Sequence, residues 1–510
     1  MRAIAPDFRP YEWAATTPEV ARLAGIDESQ VLRFDQNTPA LPLPSTRPGT
    51  VAGAIARANS YPGGGYVRLR RAIADYAGVE PENVVLGAGA DDLILLCARV
   101  YAGPGDVVAV ADSPTYPLYR IATQLAGADV GDDAPVLTFT CRPNNPTGSL
   151  GPLPDARPLV VDEAYHEYSG ATALDLTARE EVIVLRTFSK LFGLAGARVG
   201  YAIACRDVAD ELNARQAPAP VASVAAELAI AALAYRPDPR PELEERDRLA
   251  SALRTLGLDP LPSHTNFLYV PVEDGLALSD RLMRQGVVVR AYPDAIRASV
   301  RDAADDDVLV ETLARILDRP SPVAPAGHRV ARTLRATAET RLRTRLALDG
   351  ASRVRVATGA GLYDHLLEQL AFHGGLDLVL EGVGDPETGD HHTAEDAALA
   401  FGAALDTALG DRRGIARYGD AVVPMDDALA RAAVDLGGRA HAEVVLELDP
   451  GMATHMLESL AQSARASIHV QASGRDAHHV AEAAFKAVGR ALRAAVRVES
   501  SGLPSTKGIV

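Results

Sequence analysis

Lysine is scarce in this chain, and its placement suggests a chemical role. The sequence has three lysines, Lys190, Lys486 and Lys507, against 48 arginines. A lysine amine can lose its proton near neutral pH and attack a carbonyl, which an arginine guanidinium cannot do. Lys190, in the stretch RTFSKLFG, is therefore a candidate for covalent chemistry. The alternative is a surface lysine retained by chance.

A histidine pair followed by a glutamate occurs twice in the second half of the chain. GDHHTAEDAALAFGAAL begins at Gly389 and RDAHHVAEAAFKAVGRAL begins at Arg475, so HHxAExAxxAxGxAL is an internal duplication. The alanine-rich spacing predicts two helices on which the glutamate shares a face with both histidines. Imidazole and carboxylate groups together suit manganese, iron or zinc. Adjacent histidines point roughly 100° apart on a helix, so we expect each pair to divide its ligands between two metals. A single HHxxE motif would more often be structural.

Four apolar runs in the first half each end at a polar cluster, as buried parallel strands do. The runs are NVVLGAG, DVVAVAD, PLVVDEAY and EVIVLRTFSK. Ligands bind beyond the carboxyl ends of such strands, so we expect these polar residues to face one crevice. VVDEAY is also like the acidic strand end of a P-loop ATPase. The chain has no Gly-Lys pair, however, and hence no phosphate-binding GK[ST] loop.

The chemistry of these clusters fits pyridoxal phosphate. The turn that includes Ala90 and Asp91 opens a predicted helix, whose backbone amides can bind a phosphate. Asp162 ends a strand, where a carboxylate can keep the pyridine nitrogen protonated and so make the ring an electron sink. The other predicted contacts are Thr187, Ser189 and Arg198 for the phosphate, Tyr116 for stacking on the ring, and Asn145 and Tyr165 for the phenolic oxygen. Asn145 also lies in an ordinary turn-forming sequence, Asn-Asn-Pro.

Composition limits the class of protein. A net charge of −16 without a basic block argues against nucleic acid and anionic membranes as main partners. Three cysteines without metal-binding spacing and an N-terminus without an apolar signal core favour a reducing cytoplasm. Ten of the 12 histidines lie from His328 onward, which indicates two chemically different halves. We predict a domain at 1–319, a stiff Pro/Ala-rich linker at 320–327 and a second domain at 328–510.

The motifs of the first half resemble those of fold-type I aminotransferases, and most of all histidinol-phosphate aminotransferases. In order they are SYPGG, GAGADD, SPTYPLY, RPNNPTG, VVDEAY, RTFSK and GLAGARVGY. The resemblance implies an α/β fold with a mostly parallel sheet and large and small subdomains, with pyridoxal 5'-phosphate bound by Lys190 as Schiff-base lysine and proton shuttle. It implies that Tyr61 reaches the cofactor phosphate of a neighbouring subunit in a dimer. Arg297 matches the arginine for the substrate's acidic group, and Asn37 and Arg290 match further substrate contacts. The usual NEN triplet is DQN at positions 35–37, which leaves substrate choice open.

The motifs of the second half resemble those of imidazoleglycerol-phosphate dehydratase. In order they are RATAET, TGAGLYDHLLEQLAFH, GDHHTAED, GIARYG, PMDDAL, DLGGRA, IHVQASGRDAHHVAEAAFK and STKG. The resemblance implies an α+β domain built from a duplicated β-sheet/helix unit, with two manganese ions per site. The implied ligands, from more than one subunit, are His365, His391, His392, Glu395, His469, His478, His479 and Glu482. The implied contacts to the substrate phosphate are Gln369, Arg417, Arg439, Ser505 and Lys507. Glu339 is the best candidate for acid/base work, whereas His441 and His455 are expected to be ordinary surface or interface histidines. Trimers assembling into about 24 chains are also implied.

The two resemblances concern consecutive reactions. The dehydratase product, imidazole acetol phosphate, is the ketone that the aminotransferase half would convert to histidinol phosphate with glutamate as amino donor. The sequence therefore predicts a bifunctional cytoplasmic enzyme of histidine biosynthesis that acts on small molecules. Two alternatives stay open. The first half could be an inactive or differently specific module, or the second half could be a metal-binding shell without catalysis.

Overall fold

A computed structural model describes residues 7–40, 53–56, 58–178, 181–324, 327–384, 390–499, 502 and 504. The chain forms two units, the first comprising Met1–Ala24 and Leu32–Val323 and the second Gly25–Val31 and Ala324–Val510. Among the described residues, no helix combines the length and the apolar composition that crossing a membrane requires.

The first unit alternates strands and helices along the chain. Its strands are β1 (Leu32–Arg33), β2 (Val84–Gly87), β3 (Val107–Val110), β4 (Asp129–Val130), β5 (Leu137–Cys141), β6 (Leu159–Asp162), β7 (Val182–Thr187), β8 (Gly200–Ile203), β9 (Phe267–Pro271), β10 (Val287–Val288), β11 (Arg290–Tyr292) and β12 (Ala295–Ser299). Its helices are α1 (Thr17–Ala24), α2 (Val67–Ala77), α3 (Ala90–Tyr101), α4 (Leu118–Ala126), α5 (His166–Ser169), α6 (Leu174–Thr177), α7 (Arg206–Ala214), α8 (Ser223–Tyr235), α9 (Arg240–Thr255), α10 (Gly275–Met283) and α11 (Ala303–Ile316).

A seven-stranded sheet in the order β2-β8-β7-β6-β5-β3-β4 is the centre of the first unit. All its strand pairs are parallel except those of β8, which is antiparallel to β2 and β7. Its residues alternate between two cores. Val160 and Ile183 pack on the side of α3 and α4, whereas Val161 and Val184 pack on the opposite side. Burial on both faces explains why these strands are continuous apolar runs in the sequence.

A smaller part of the first unit is built around the antiparallel sheet β11-β12-β9. Residues of α9, α10 and α11 pack against this sheet in a separate apolar core. The first unit therefore has the large and small parts, and the mostly parallel sheet, that the sequence predicts.

The second unit consists of two repeats with the same topology. Its strands are β13 (Val330–Ala336), β14 (Thr340–Ala347), β15 (Val354–Ala357), β16 (Asp377–Gly384), β17 (Tyr418–Met425), β18 (Ala428–Asp435), β19 (His441–Leu446) and β20 (Ser467–Ser473). Its helices are α12 (Gly361–His373), α13 (Asp390–Leu409), α14 (Ala453–Ser463) and α15 (Ala477–Ala495). The sheets have the orders β13-β14-β16-β15 and β17-β18-β20-β19, and in each only the last pair is parallel. The predicted duplicated sheet/helix unit is confirmed.

The helices of the second unit pack across the repeats, α12 against α15 and α13 against α14. The glycine of the shared motif permits both contacts. A Cβ on Gly402 would collide with the carbonyl oxygen of Leu460, and a Cβ on Gly489 would collide with that of Leu370. These close contacts bring a helix of one repeat beside the histidine pair of the other.

Candidate active sites

The carboxyl ends of three parallel strands bring the predicted cofactor residues together in the first unit. Asp162 ends β6 and is in register with Cys141 of β5 and Leu185 of β7. Asn145 follows β5, and Lys190 follows β7 by three residues. The polar residues that the sequence placed after separate strands thus occupy one edge of the sheet.

Lys190 is partly buried, and the pKa of its amine is lowered. Its Nζ donates to the carbonyl oxygen of Gln36 at 3.4 Å and lies 5.6 Å from the centre of the Tyr165 ring. Burial, and then the positive charge of Arg297, lower the pKa of the Lys190 amine from 10.5 to about 8. An amine of this pKa is partly neutral near physiological pH, as a nucleophile or a proton carrier must be.

Asp162 is a buried carboxylate held by two hydrogen bonds. Its Oδ2 accepts from the hydroxyl of Tyr119 at 2.7 Å and its Oδ1 from the backbone N–H of Ala164 at 3.0 Å. Burial raises the pKa of Asp162 from 3.8 to about 6, although both hydrogen bonds lower it. Burial also raises the pKa of Tyr119 well above its usual value, so this hydroxyl remains a neutral donor. A buried carboxylate of this kind suits a cationic partner such as a protonated ring nitrogen.

A buried ion pair behind this edge was not identified from the sequence. Glu163 Oε2 accepts from Nε and Nη2 of Arg186 at 3.1 and 2.9 Å, and the two residues are 1% and 2% exposed. The pair joins the end of β6 to the end of β7, next to Asp162 and Thr187. It therefore fixes the relative positions of the two strand ends that carry the site.

The predicted phosphate residues form a cradle at the start of α3. Nη2 of Arg198 donates to Oδ2 of Asp91 at 2.9 Å, and the hydroxyl of Tyr116 lies 3.1 Å from the other oxygen of that carboxylate. Gly89, at φ +85°, has no side chain in this space, where a Cβ would lie 2.5 Å from Nη2 of Arg198. Free N–H groups at the first turn of a helix and a nearby guanidinium attract an anion. These residues therefore fit a cofactor phosphate.

Thr187 and Ser189 extend this cradle. Their hydroxyls are hydrogen-bonded to each other at 2.9 Å, and the backbone N–H of Ser189 donates to Oγ1 of Thr187 at 3.1 Å. Both residues are buried. The phosphate, ring-nitrogen and amine positions of the fold thus all carry suitable groups.

The predicted substrate residues Asn37 and Arg297 lie beside this site. Nδ2 of Asn37 donates to the hydroxyl of Tyr165 at 2.9 Å. Nη1 of Arg297 donates to Oδ1 of Asn145 at 2.5 Å and Nη2 to the carbonyl oxygen of Asp35 at 2.7 Å. The buried Nε of Arg297 has no hydrogen-bond partner among the described residues. This donor suits an acidic group of a substrate.

Two other predicted residues have different surroundings. Arg290 donates to the carbonyl oxygen of Glu12 at 3.1 Å and lies over the ring of Tyr11. Tyr61 is 92% exposed and borders a shallow apolar groove with Tyr66. The structure does not bring Tyr61 into the group formed around Lys190 within its own chain.

In the second unit, one His-His-Glu trio joins the two repeats. Nε2 of His478 lies 3.2 Å from Oε2 of Glu482, and Nε2 of His365, from α12, lies 3.6 Å from the same oxygen. Burial raises the pKa of Glu482, but the hydrogen bond and charge of Lys486, together with the two histidines, lower it below its usual value. Two imidazoles and an ionised carboxylate suit manganese, iron or zinc.

A second, equivalent trio contains a histidine that the sequence interpretation excluded. Oε2 of Glu395 lies 4.0 Å from Nε2 of His391 and 3.4 Å from Nε2 of His455. The rings of His391 and His455 stack at 5.7 Å. His455 therefore holds the position that His365 holds in the first trio, rather than that of an ordinary surface histidine. Aligning YDHLLEQL with ATHMLESL pairs these two histidines and could have identified His455.

The second histidine of each pair faces an acid in a β-hairpin turn. Nδ1 of His392 lies 2.8 Å from Oε2 of Glu339. Nδ1 of His479 is hydrogen-bonded to Oδ1 of Asp427 at 2.6 Å. This bond raises the pKa of His479 and lowers that of Asp427 to about 2. The structure thus separates the adjacent histidines as the helical geometry predicts.

His469, predicted as a ligand of the duplicated site, lies elsewhere in the second unit. Its Nδ1 is 3.2 Å from Oε2 of Glu443, and its ring is 5.3 Å from that of His441. These residues belong to the neighbouring strands β19 and β20, whereas the trios lie on the helices. Within its own chain, His469 therefore does not join either trio.

The predicted phosphate residues of the second unit are only partly described. Arg417 is bound by Asp435 at 2.6 and 3.0 Å and donates to the carbonyl oxygen of Pro504 at 2.9 Å. Gln369 is partly buried in α12 and Arg439 is exposed. Ser505 and Lys507 lie outside the described residues.

The two units have the features of two enzyme classes, a pyridoxal-phosphate-dependent aminotransferase fold and a duplicated metal-binding fold. A family model for class I and II aminotransferases matches residues 29–132 and 131–315, and one for imidazoleglycerol-phosphate dehydratase matches residues 358–492. The chain belongs to the class I and II aminotransferases through its first unit and to the imidazoleglycerol-phosphate dehydratases through its second. The resemblances predicted from the sequence are confirmed.

Curated relatives that match part of the chain are imidazoleglycerol-phosphate dehydratases. An imidazoleglycerol-phosphate dehydratase of Salinispora arenicola is 50% identical over 201 residues, which are 35% of this chain and 98% of the relative. One of Methanothermobacter thermautotrophicus is 50% identical over 182 residues, covering 34% of this chain and 94% of the relative. One of Phytophthora nicotianae is 42% identical over 243 residues, 44% of this chain, and the match spans only 54% of that longer relative.

Solved structures match the first unit. The structure of histidinol-phosphate aminotransferase from Sinorhizobium meliloti in complex with pyridoxal-5'-phosphate is 25% identical, with a TM-score of 0.53. The match covers 62% of this chain and 98% of that one. The histidinol-phosphate aminotransferase of Clostridium acetobutylicum, at 21% identity and a TM-score of 0.51, supports the fold alone.

Proposed function

We propose that this chain is a bifunctional enzyme of histidine biosynthesis. Its second unit dehydrates imidazoleglycerol phosphate to imidazole acetol phosphate, and its first unit transfers an amino group from glutamate to that ketone, giving histidinol phosphate. One observation carries the proposal. A single chain joins an amine site and a duplicated metal-ligand site whose two families act at consecutive steps.

In the first unit, pyridoxal phosphate supplies an electron sink for the charge that develops on the substrate carbon. Lys190, with a pKa near 8, removes and returns the proton at that carbon. Asp162 pairs with the protonated ring nitrogen, and Arg198 with the first turn of α3 holds the phosphate. Arg297 offers its Nε–H, which has no hydrogen-bond partner among the described residues, to the acidic group of the substrate.

In the second unit, manganese supplies Lewis-acid stabilisation of the charge on the substrate's imidazole ring. Each trio offers two imidazoles and one carboxylate for an ion: His365, His478 and Glu482 in one, and His391, His455 and Glu395 in the other. Glu339 acts as the acid/base group that transfers the proton of the substrate during the dehydration. Arg417, Arg439 and Gln369, together with Ser505 and Lys507, bind the substrate phosphate and so orient the reacting ring.

The active form is proposed to be a homo-oligomer. His392 and His479 stand apart from the trios of their own chain, which leaves them as ligands for sites shared with neighbouring subunits. Tyr61 would likewise contact the cofactor of a partner in an aminotransferase dimer, and its 92% exposure supports this role. Trimers reaching about 24 chains, with dimers on or between the shells, satisfy both requirements because octahedral symmetry contains two-fold axes.

The decisive experiment supplies imidazoleglycerol phosphate, glutamate, manganese and pyridoxal phosphate to the full chain. Histidinol phosphate should accumulate. Lys190→Ala should stop the sequence at imidazole acetol phosphate, whereas Glu482→Gln should leave the starting compound unused. His264→Asn, an exposed histidine of the first unit, is the matched control and should behave like the wild-type chain. Histidinol phosphate formed at the wild-type rate by Lys190→Ala would overturn the assignment.

A differently specific aminotransferase is the second candidate, and the DQN triplet favours it. The side chain of Asp35 is bound by Nε and Nη2 of Arg33 at 2.9 and 2.7 Å. The first unit should be offered imidazole acetol phosphate and, separately, keto acids without phosphate. A clear preference for the phosphate-free acceptors would overturn the proposed transamination of imidazole acetol phosphate. It would leave the dehydratase assignment unaffected.

A further inference from the structure

Three potential metal ligands lie on the outer face of the second repeat's sheet, away from the helices that carry the trios. His441 and Glu443 are two residues apart on β19, so their side chains point to the same face. His469 is the register partner of Glu443 on the parallel strand β20. All three side chains are exposed, and their donor atoms lie within 4.8 Å of one another.

The fold does not require this cluster. The matching sheet of the first repeat pairs β15 with β16 in the same parallel register, and there the equivalent positions carry Arg353, Arg355 and Val379. Neither guanidinium groups nor valine bind a cation. The ligands are therefore a feature of one repeat and not a consequence of the duplication.

We propose that His441, Glu443 and His469 form an additional site for a divalent cation of the zinc type. Two imidazoles and one carboxylate are a ligand set that zinc accepts, and water can complete a tetrahedral shell on the exposed side. At bond lengths of about 2.0–2.2 Å the donors of such a shell lie roughly 3.4 Å apart. His469 and Glu443 already meet this separation at 3.2 Å. His441 must move closer, and its exposed position leaves room for a rotamer change.

The site should select zinc over manganese. Affinity of nitrogen-containing sites rises from manganese towards copper and remains high for zinc. An exposed site with only three protein ligands imposes little coordination geometry on the ion. The intrinsic affinity order of the metals should therefore decide which ion binds. The inference does not depend on the reactions proposed for either unit.

The test is the zinc stoichiometry of the assembled full chain, measured by elemental analysis after equilibration with zinc buffered at a defined free concentration. Wild-type protein should retain one more zinc ion per chain than His441→Asn combined with His469→Asn. Glu443→Gln should bind that ion more weakly but still reach the wild-type ratio at higher free zinc. His264→Asn, an exposed histidine outside the cluster, should retain the wild-type ratio.

Two results would overturn the inference. One is an equal number of zinc ions in the wild-type chain and the double variant. The other is a loss in the double variant of more than one ion together with a smaller assembly in gel filtration, because that would show damage to the trios. Manganese stoichiometry should be the same in all of these proteins.

Discussion

Replacing Asp162 by asparagine tests whether a buried charge at the cofactor site lowers the stability of the first unit. The carboxylate is 4% exposed, and its pKa rises from 3.8 to about 6 because burial disfavours the ionised form. Asparagine preserves the shape and both hydrogen bonds. Its carbonyl oxygen can accept from the N–H of Ala164, and its amide can donate to the oxygen of Tyr119, whose hydroxyl can turn.

The size of the effect follows from the pKa. A group whose folded pKa is raised binds more protons folded than unfolded, so it lowers stability as pH rises from the unfolded value to the folded one. The shift from 3.8 to about 6 is about 2 pKa units, which corresponds to about 3 kcal/mol at neutral pH. Asp162→Asn should therefore stabilise the cofactor-free first unit by up to this amount at pH 7.5. At pH 5 the gain should be roughly half as large, because the native carboxyl group is then mostly protonated.

The assay is differential scanning calorimetry of the full chain, following the transition that pyridoxal phosphate shifts. For a unit of this length, a gain of about 3 kcal/mol raises the midpoint by roughly 5 °C. Asp133→Asn, an exposed aspartate in the same unit, is the control and should leave the midpoint unchanged. Pyridoxal phosphate should stabilise the wild-type chain more than the variant. An unchanged or lower midpoint for cofactor-free Asp162→Asn at pH 7.5 would refute the reasoning.

Three further changes test the surroundings of the two sites. Tyr119→Phe removes a hydrogen bond to a buried carboxylate, worth about 1.5–3 kcal/mol, so the pH at which the absorbance of the bound cofactor changes should shift, and an unchanged titration would contradict a positioning role. Glu163→Gln removes the carboxylate that directly contacts the buried guanidinium of Arg186, so the free energy of unfolding should fall by about 3–5 kcal/mol. Chemical denaturation measures this, and a loss below about 1 kcal/mol would count against it. His455→Asn should remove one manganese ion per chain in equilibrium dialysis, whereas the corresponding change at His469 should remove none.

The sequence was sufficient where a short pattern determines both local structure and chemistry. Apolar runs that end in Asp162 or shortly before Lys190 predicted strand ends in one crevice, because parallel strands share an edge. The repeated HHxxE pattern predicted two helices and the separation of adjacent histidines, because helical geometry fixes both. Neither inference required the register of one element against another.

The residues that were missed depend on contacts between distant segments. Tyr119 reaches Asp162 from α4, and Arg186 meets Glu163 only because β6 and β7 are in register. His455 has no neighbouring histidine, so its segment lacks the pattern that marked the two pairs. Only the packing of α14 against α13 brings it to Glu395.

Each trio contains residues from both repeats. Helix α12 contributes a histidine to the trio on α15, and α14 contributes a histidine to the trio on α13. A polypeptide with a single repeat would contain histidine and glutamate ligands of both helices. It could form a trio only by pairing with a second copy of itself. Because this chain joins both repeats covalently, the ligands of a trio meet without depending on protein concentration. The two repeats nevertheless differ beside their trios, because Lys486 contacts Glu482 whereas leucine stands at the equivalent place in the earlier repeat.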